Sequence, residues 1–175
     1  FGMKDIDEAE ALRNQVLLRF EEAVRTSDRQ RREALMTFVI VGGGPTGVEL
    51  AGAFAELIRH VLRRDYPALA RDAARVILVE AGDAILAAFP PKLRESAASR
   101  LAKMGVDVRL QTAVDRVEDD RVVFRDGSGL AATTVIWAAG VKASDLADRL
   151  GVPQGRGGRV PVTPELHLPD REEVF

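Results

Sequence analysis

Residues 37–50, TFVIVGGGPTGVEL, decide the fold of this chain. An apolar, mostly β-branched run is followed at once by glycines spaced G-x-G-x-x-G, at Gly42, Gly44 and Gly47, and then by a helical pattern. This order of strand, glycine turn and helix is typical of a dinucleotide-binding unit. Gly42 permits the tight turn, Gly44 lets a pyrophosphate approach the backbone, and Gly47 lets the helix pack closely against the strand. The N–H groups and the positive dipole end at the helix start favour a phosphate anion.

The residues around the glycines support this interpretation. Residues 38–41 form an unbroken apolar run, which predicts a strand of a parallel sheet covered on both faces. After the glycines, apolar residues recur at helical spacing and predict one buried stripe. That stripe consists of Val48, Ala51, Ala55, Ile58 and Leu62. A tight turn that binds nothing is the alternative, but packing alone does not readily explain three glycines in this arrangement.

The rest of the chain predicts an α/β fold with a Rossmann-like parallel sheet flanked by helices. The expected elements are helices over residues 6–25, 45–64 and 91–104, a charged connector over residues 27–33, a short helical turn over residues 68–74, and strands over residues 37–41, 75–80, 106–110 and 134–140. From residue 113 the pattern changes to short alternating runs with turns at residues 119–120 and 126–129. Such runs predict an antiparallel β-meander laid against the parallel sheet. Phe54 and Trp137 are expected in the core because each lies in an apolar context.

This pattern divides the chain into three parts. We expect an N-terminal helix and connector over residues 1–36, the NAD(H)-binding Rossmann-like domain over residues 37–150, and a tail over residues 151–175.

Composition excludes several classes of function. The net charge of −2 provides no basic surface for nucleic acid. Cysteine is absent, so this segment has no disulfide, thiolate metal site or redox dithiol. The two histidines, His60 and His167, lack companions at ligand spacing, and we expect no metal. No run approaches the ~18 apolar residues of a membrane span, and we expect a cytoplasmic location.

Two acidic residues are candidates for contacts with a cofactor. Glu80 ends the second predicted strand, where a carboxylate accepts hydrogen bonds from the adenosine ribose and repels a 2′-phosphate, which favours NAD(H) over NADP(H). A solvated acid at a strand end is the alternative. Glu80 follows Gly47 by more than the usual ~20 residues, which the long helix and an insertion after it explain. Glu49 lies in the first helical turn, where it either contacts a ligand or stabilises the helix dipole.

Small residues end the last predicted strand. Ala139 and Gly140 offer a second place where backbone could approach a flat ligand, and a simple turn is an equal alternative.

Three segments together resemble the NADH-binding region of type II NADH dehydrogenases, which are flavoproteins with two dinucleotide-binding domains. The segments read VIVGGGPTGVEL at residues 39–50, VEAG at residues 79–82 and WAAGV at residues 137–141, and the match continues through Pro90 and residues 104–106. The resemblance covers most of the chain. It implies an enzyme that oxidises NADH, passes a hydride to FAD and reduces a membrane quinone.

The resemblance also assigns roles to residues. It implies that Gly42, Gly44 and Gly47 hold the pyrophosphate, that Glu80 holds the adenosine ribose, and that Glu49 lies near the nicotinamide as the catalytic candidate. The expected cofactor contacts are Gly42, Gly43, Gly44, Pro45, Thr46, Gly47, Glu80, Ala113, Ala139 and Gly140.

The chain lacks the second glycine-rich motif and the Gly-Asp pair by which the family binds FAD. We therefore interpret it as the nicotinamide-binding domain of a longer polypeptide, which binds NADH but does not reduce quinone alone. The expected partners are NADH, the FAD-binding part of the same polypeptide and a quinone, with the whole protein peripheral on the cytoplasmic membrane face. A homodimer is compatible with this interpretation. The alternatives are a domain of a related ferredoxin or disulfide reductase, and a non-catalytic NAD(H)-binding module.

Overall fold

The central feature of the computed structural model is a parallel sheet around the buried strand β1. The structure describes residues 1–3, 5–67, 69, 74–140 and 143–175, except for the side chains of residues 61–63. Within these residues the sheet has the order β3-β2-β1-β7, and its neighbouring strands are parallel. Its strands are β1 (Thr37–Val41), β2 (Arg75–Val79), β3 (Val106–Arg109) and β7 (Thr134–Trp137). The predicted Rossmann-like sheet is confirmed.

Alternate residues of the sheet contribute to two separate cores. Phe38 and Ile40 pack into one apolar cluster, whereas Val39 and Val41 pack into the other. Successive side chains of a strand point to opposite faces, so both faces of β1 are covered. This explains why its sequence is an unbroken apolar run rather than an alternating one.

Helices cover the first face of the sheet. They are α1 (Ile6–Arg25), α2 (Arg29–Leu35), α3 (Pro45–Leu57), which continues through a π-helical segment (Ile58–Leu62) into α4 (Arg63–Asp65), and α5 (Pro91–Lys103). Helix α1 begins where the Asp5 side chain accepts from the Glu8 N–H, and its Phe20 packs edge-to-face on Phe38 with ring centroids 5.8 Å apart. The N-terminal helix therefore shares the core of the sheet.

The predicted meander covers the second face. It consists of β4 (Val114–Val117), β5 (Arg121–Phe124) and β6 (Gly129–Ala131), paired antiparallel in that order. Val122 and Phe124 are buried against Val39 and Ile77 of the sheet. The predicted position of the meander against the parallel sheet is thus confirmed.

Two local predictions were wrong. The expected charged connector contributes to helix α2, which begins because the Asp28 side chain accepts hydrogen bonds from the amides of Gln30 and Arg31. Trp137, expected in the core, is 48% exposed because it ends β7 at the rim of the sheet, whereas Phe54 is buried as expected. Most of the helical turn predicted over residues 68–74 lies outside the described residues, as does Val141.

The chain forms two compact units, Phe1–Ala139 and Gly140–Phe175. The second unit contains two 3-10 turns, Asp145–Leu150 and Arg156–Gly158, and an isolated bridge between Leu168 and Arg171. The predicted division at residues 36 and 150 stays a prediction about the organisation of the polypeptide.

Candidate functional site

The glycine turn after β1 begins with a residue that must be glycine. Gly42 has a φ of +112°, which L side chains rarely adopt. A Cβ at this position would lie 2.8 Å from the Cα and N atoms of Ala139, which follows β7. The Gly42 amide donates to the Val79 carbonyl over 2.8 Å. The turn is therefore fixed between the carboxyl ends of β2 and β7.

Gly47 brings the start of helix α3 against the same turn. A Cβ on Gly47 would overlap the carbonyl oxygen of Gly42 and would lie 3.5 Å from Leu78 Cδ1 of β2. The glycine is therefore needed for the close approach of the helix to the turn, whereas the sequence predicted close packing against the strand. The closest contact is the carbonyl of the turn, and the strand side chain is in ordinary van der Waals contact.

Gly44 differs from both of these glycines because no internal contact requires it. Its φ of −72° suits any residue, and a Cβ there would have no heavy atom of the described chain within 4 Å. Gly44 precedes helix α3, whose first residue is Pro45 and whose N-terminus no described side chain caps. The open space and the uncapped amides fit a phosphate group, which needs close access to backbone N–H donors. Pro45 and Thr46 are exposed beside this space.

Glu80 follows β2 and lies directly beside the glycine turn. Its Oε2 accepts from the Gly43 amide over 2.6 Å, and its Oε1 accepts from the Gly82 amide over 2.7 Å. These two contacts fix the position of the carboxylate. The backbone therefore holds this carboxylate in place, and its contact with an adenosine ribose stays a prediction.

Ala113 follows β3 close to the same strand end. The Thr112 amide donates to the Glu80 carbonyl over 2.9 Å, and the Gln111 amide donates to the Gly82 carbonyl over 2.8 Å. Ala113 itself is half-buried, and its carbonyl accepts from Arg125. The structure thus brings this residue near Glu80.

The small residues after β7 divide between the two units. The Ala138 amide donates to the Val41 carbonyl over 2.8 Å, which leaves Ala139 against Gly42. Gly140 begins the second unit with a φ of +79°. Its predicted contact with the cofactor stays a prediction.

Glu49 is exposed on the first turns of helix α3. Within the described residues, its carboxylate has no hydrogen-bond or ion-pair partner. It is therefore available to a ligand, and its contact with a nicotinamide stays a prediction.

The sequence interpretation missed the loop that follows Glu80. The Leu86 amide donates to the Gly43 carbonyl over 2.7 Å, with Leu86 at a φ of +52°. The preceding Ile85 is buried against the turn. The only signal in the sequence was the apolar run of residues 84–89 between Asp83 and the prolines, and nothing in it indicates a contact with the glycines.

Two other kinds of site are absent from the described residues. No three His, Cys, Asp or Glu side chains in these ranges are grouped as a metal site. Among the described helices, none has the length and apolarity needed to cross a bilayer.

The fold and the glycine turn together define a Rossmann-type dinucleotide-binding domain. The chain belongs to the pyridine nucleotide-disulphide oxidoreductase family, whose model matches residues 1–175. It is 42% identical over 182 residues to the type II NADH:quinone oxidoreductase Ndh of Mycobacterium tuberculosis, an alignment of 99% of this chain and 39% of that protein. It is 30% identical to the mitochondrial internal alternative NAD(P)H-ubiquinone oxidoreductase A1 of Arabidopsis thaliana, over 99% of this chain and 34% of that protein.

A solved structure has the same fold. NDH2 from Plasmodium falciparum in complex with NADH superposes with a TM-score of 0.78 over 85% of this chain and 31% of that one, at 22% identity. The resemblance to type II NADH dehydrogenases is thus confirmed. The chain spans between 31% and 39% of the length of these relatives.

Proposed function

We propose that this chain binds NADH on the glycine turn and is the nicotinamide-binding domain of a flavin-dependent NADH:quinone oxidoreductase. In the whole polypeptide a bound FAD would supply the redox chemistry between NADH and a quinone. The contribution of this chain is to bind and orient the nicotinamide nucleotide. The names of the similar proteins support the proposed reaction.

The observation that carries the proposal is the open space at Gly44. Gly42 and Gly47 are explained by contacts within the protein, whereas a side chain at Gly44 would meet none. A glycine that neither backbone conformation nor packing requires is expected where a ligand needs the space. The neighbouring amides at the start of α3 are suitable donors to a pyrophosphate.

Two further features support NADH as the ligand. Glu80 is positioned to accept hydrogen bonds from ribose hydroxyls and would repel a 2′-phosphate. Glu49 has a free carboxylate beside the turn, where we propose that it contacts the nicotinamide half. Thr46, Ala113, Ala139 and Gly140 complete the proposed contact set.

The test compares two glycine variants of the whole polypeptide by titration with NADH. Gly44→Ala should weaken NADH binding by at least about tenfold, because a methyl group would occupy the phosphate position. Its thermal stability should fall only modestly, because the Cβ is unhindered but Gly44 is the N-cap of helix α3, where glycine is preferred over alanine. Gly52→Ala, in the interior of helix α3, is the matched control, because among the described residues its Cβ would meet only Met104 Cε, at 3.8 Å. It should leave NADH affinity unchanged.

Two outcomes would contradict the proposal. If the wild-type protein binds no NADH, NADH is not its ligand. Equal NADH affinity in Gly44→Ala and wild type would remove the glycine turn as its site. A protein that binds NADH but whose flavin is not reduced by it would instead identify a non-catalytic NAD(H)-binding module.

A further inference from the structure

Gly43 is held at both of its backbone groups by the segment that follows β2. Its amide donates to Glu80 Oε2 over 2.6 Å, and its carbonyl accepts from the Leu86 amide over 2.7 Å. Both partners are more than thirty-five positions away in the sequence. The residue before Gly44 is therefore fixed by tertiary contacts and not by the turn itself.

The absence of a side chain on Gly43 is explained by the same contact. A Cβ there would lie 2.9 Å from Ile85 Cγ2 and 3.0 Å from Glu80 Oε2. Gly43 occupies a variable position of the G-x-G-x-x-G spacing, so the motif does not demand a glycine there. The close approach of Ile85, together with that of Glu80, explains the glycine.

The carboxylate of Glu80 has capacity left after these contacts. Oε2 accepts from Gly43 and Oε1 accepts from Gly82 over 2.7 Å. Each carboxylate oxygen can accept a second hydrogen bond. Glu80 can therefore receive ribose hydroxyls without releasing the Gly43 amide.

We propose that Glu80 is a positioning residue for the phosphate-binding turn as well as a ligand of the ribose. By holding Gly43, it sets the direction in which Gly44 presents its backbone to the pyrophosphate. Recognition of the ribose and recognition of the phosphates are thereby coupled through one carboxylate. This inference rests on the proposed binding of NADH at the turn.

The test uses an NADH analogue whose adenosine ribose cannot form hydrogen bonds with Glu80. We would measure dissociation constants of NADH, and of an analogue in which both adenosine ribose hydroxyls are replaced by hydrogen, for the whole polypeptide and for Glu80→Gln. In the same position the glutamine has an NH2 group in place of one carboxylate oxygen, so one of the Gly43 and Gly82 amides would face a donor and not an acceptor. Asp83→Asn is the matched control, since it removes one negative charge from an exposed residue of the same loop.

The sign of the change for the analogue decides the outcome. Loss of a negative charge near a pyrophosphate lowers repulsion and by itself tightens binding. If Glu80 positions the turn, Glu80→Gln instead weakens binding of the analogue by about five- to tenfold, whereas Asp83→Asn does not weaken it. Unchanged or tighter binding of the analogue by Glu80→Gln would overturn the inference and leave Glu80 as a ribose ligand only.

A second measurement uses the wild-type protein alone, so it does not require that Glu80→Gln folds. Hydrogen exchange of the Gly43 amide in the ligand-free wild type should be strongly protected, because the amide is bonded to Glu80. Exchange at the rate of an unstructured peptide would overturn the inference, even if NADH binds. Absence of NADH binding in the wild type would remove the proposed function itself, and is thus a distinguishable result.

Discussion

The backbone of Ala139 lies so close to Gly42 that a Cβ on the glycine would be 2.8 Å from the Ala139 Cα and N atoms. This relationship joins the carboxyl ends of β1 and β7, whose register pairs Val41 with Trp137. In an open parallel sheet, ligands bind outside these carboxyl ends. The geometry of the proposed site therefore depends on a contact that leaves no room for a methyl group.

Gly42→Ala should consequently destabilise the fold. The substitution combines an unfavourable φ of +112° with the contact to Ala139, and we expect the free energy of unfolding to fall by about 2 kcal/mol or more. Denaturant unfolding measures this value. Gly52→Ala, in a helix interior with open surroundings, should change it by less than about 1 kcal/mol and in the stabilising direction. Equal stability of Gly42→Ala and wild type would contradict the described turn.

Replacement by valine of two buried threonines on neighbouring strands should change the stability of the protein in opposite directions. Thr134 is fully buried, and its hydroxyl has no hydrogen-bond partner among the described residues. Thr37 is 2% exposed, and its hydroxyl donates to the Glu33 carbonyl over 2.7 Å. Thr134→Val should stabilise and Thr37→Val should destabilise the protein, each by about 1 kcal/mol. A destabilised Thr134→Val protein would show that its hydroxyl is satisfied.

Glu80 should set the choice between nicotinamide nucleotides. The carboxylate beside Gly43 would face the 2′-phosphate of NADPH, so we expect NADH to bind at least about tenfold more tightly than NADPH. In Glu80→Gln the two dissociation constants should move closer together, because the repulsion is removed. An unchanged ratio of the two constants in this variant would remove Glu80 as the discriminating residue.

Glu49→Gln should slow the reduction of the flavin by NADH. We expect a decrease on the order of tenfold in a stopped-flow measurement, because the carboxylate would no longer orient the nicotinamide half. Glu56→Gln is the matched control, since Glu56 is also exposed on helix α3, two turns further from the glycines. Equal reduction rates for Glu49→Gln and wild type would leave Glu49 a residue that only stabilises the helix dipole.

The hydrogen bond between Tyr66 and Glu21 should make stability depend on alkaline pH. The Tyr66 hydroxyl donates to Glu21 Oε1 over 2.7 Å, and this bond, followed by burial, raises the pKa of Tyr66. A raised folded-state pKa contributes stability below the unfolded value of about 10 and loses it as pH rises through the folded value. The difference in melting temperature between wild type and Tyr66→Phe should therefore be constant at neutral pH and change above about pH 10. A difference that stays constant across that range would contradict the contact.

Local patterns predicted most of the fold because each of them corresponds to one physical constraint. The unbroken apolar run of β1 indicated burial on both faces, and the alternating runs after residue 113 indicated a sheet with one covered face. Helix α2 was missed because its many charges resemble a connector, although the Asp28 cap was present in the sequence. Trp137 was wrongly predicted to be buried because its apolar sequence context does not show that strand β7 ends there, at the edge of the core.

The site was only partly predictable for a different reason. The spacing of Gly42, Gly44 and Gly47 is local, so the sequence indicated the turn. The contacts of Gly43 with Glu80 and Leu86 join segments that are distant in sequence. No periodicity or motif spacing encodes such contacts, and they become visible only when β1 and β2 are placed side by side.

A crystal structure of the whole polypeptide with bound NADH tests the central claim most directly. The proposal predicts that the pyrophosphate lies over Gly44, within about 3 Å of backbone amides at the start of helix α3, with the adenosine ribose hydroxyls on Glu80. NADH bound elsewhere, with the space at Gly44 closed or filled by another part of the protein, would contradict it.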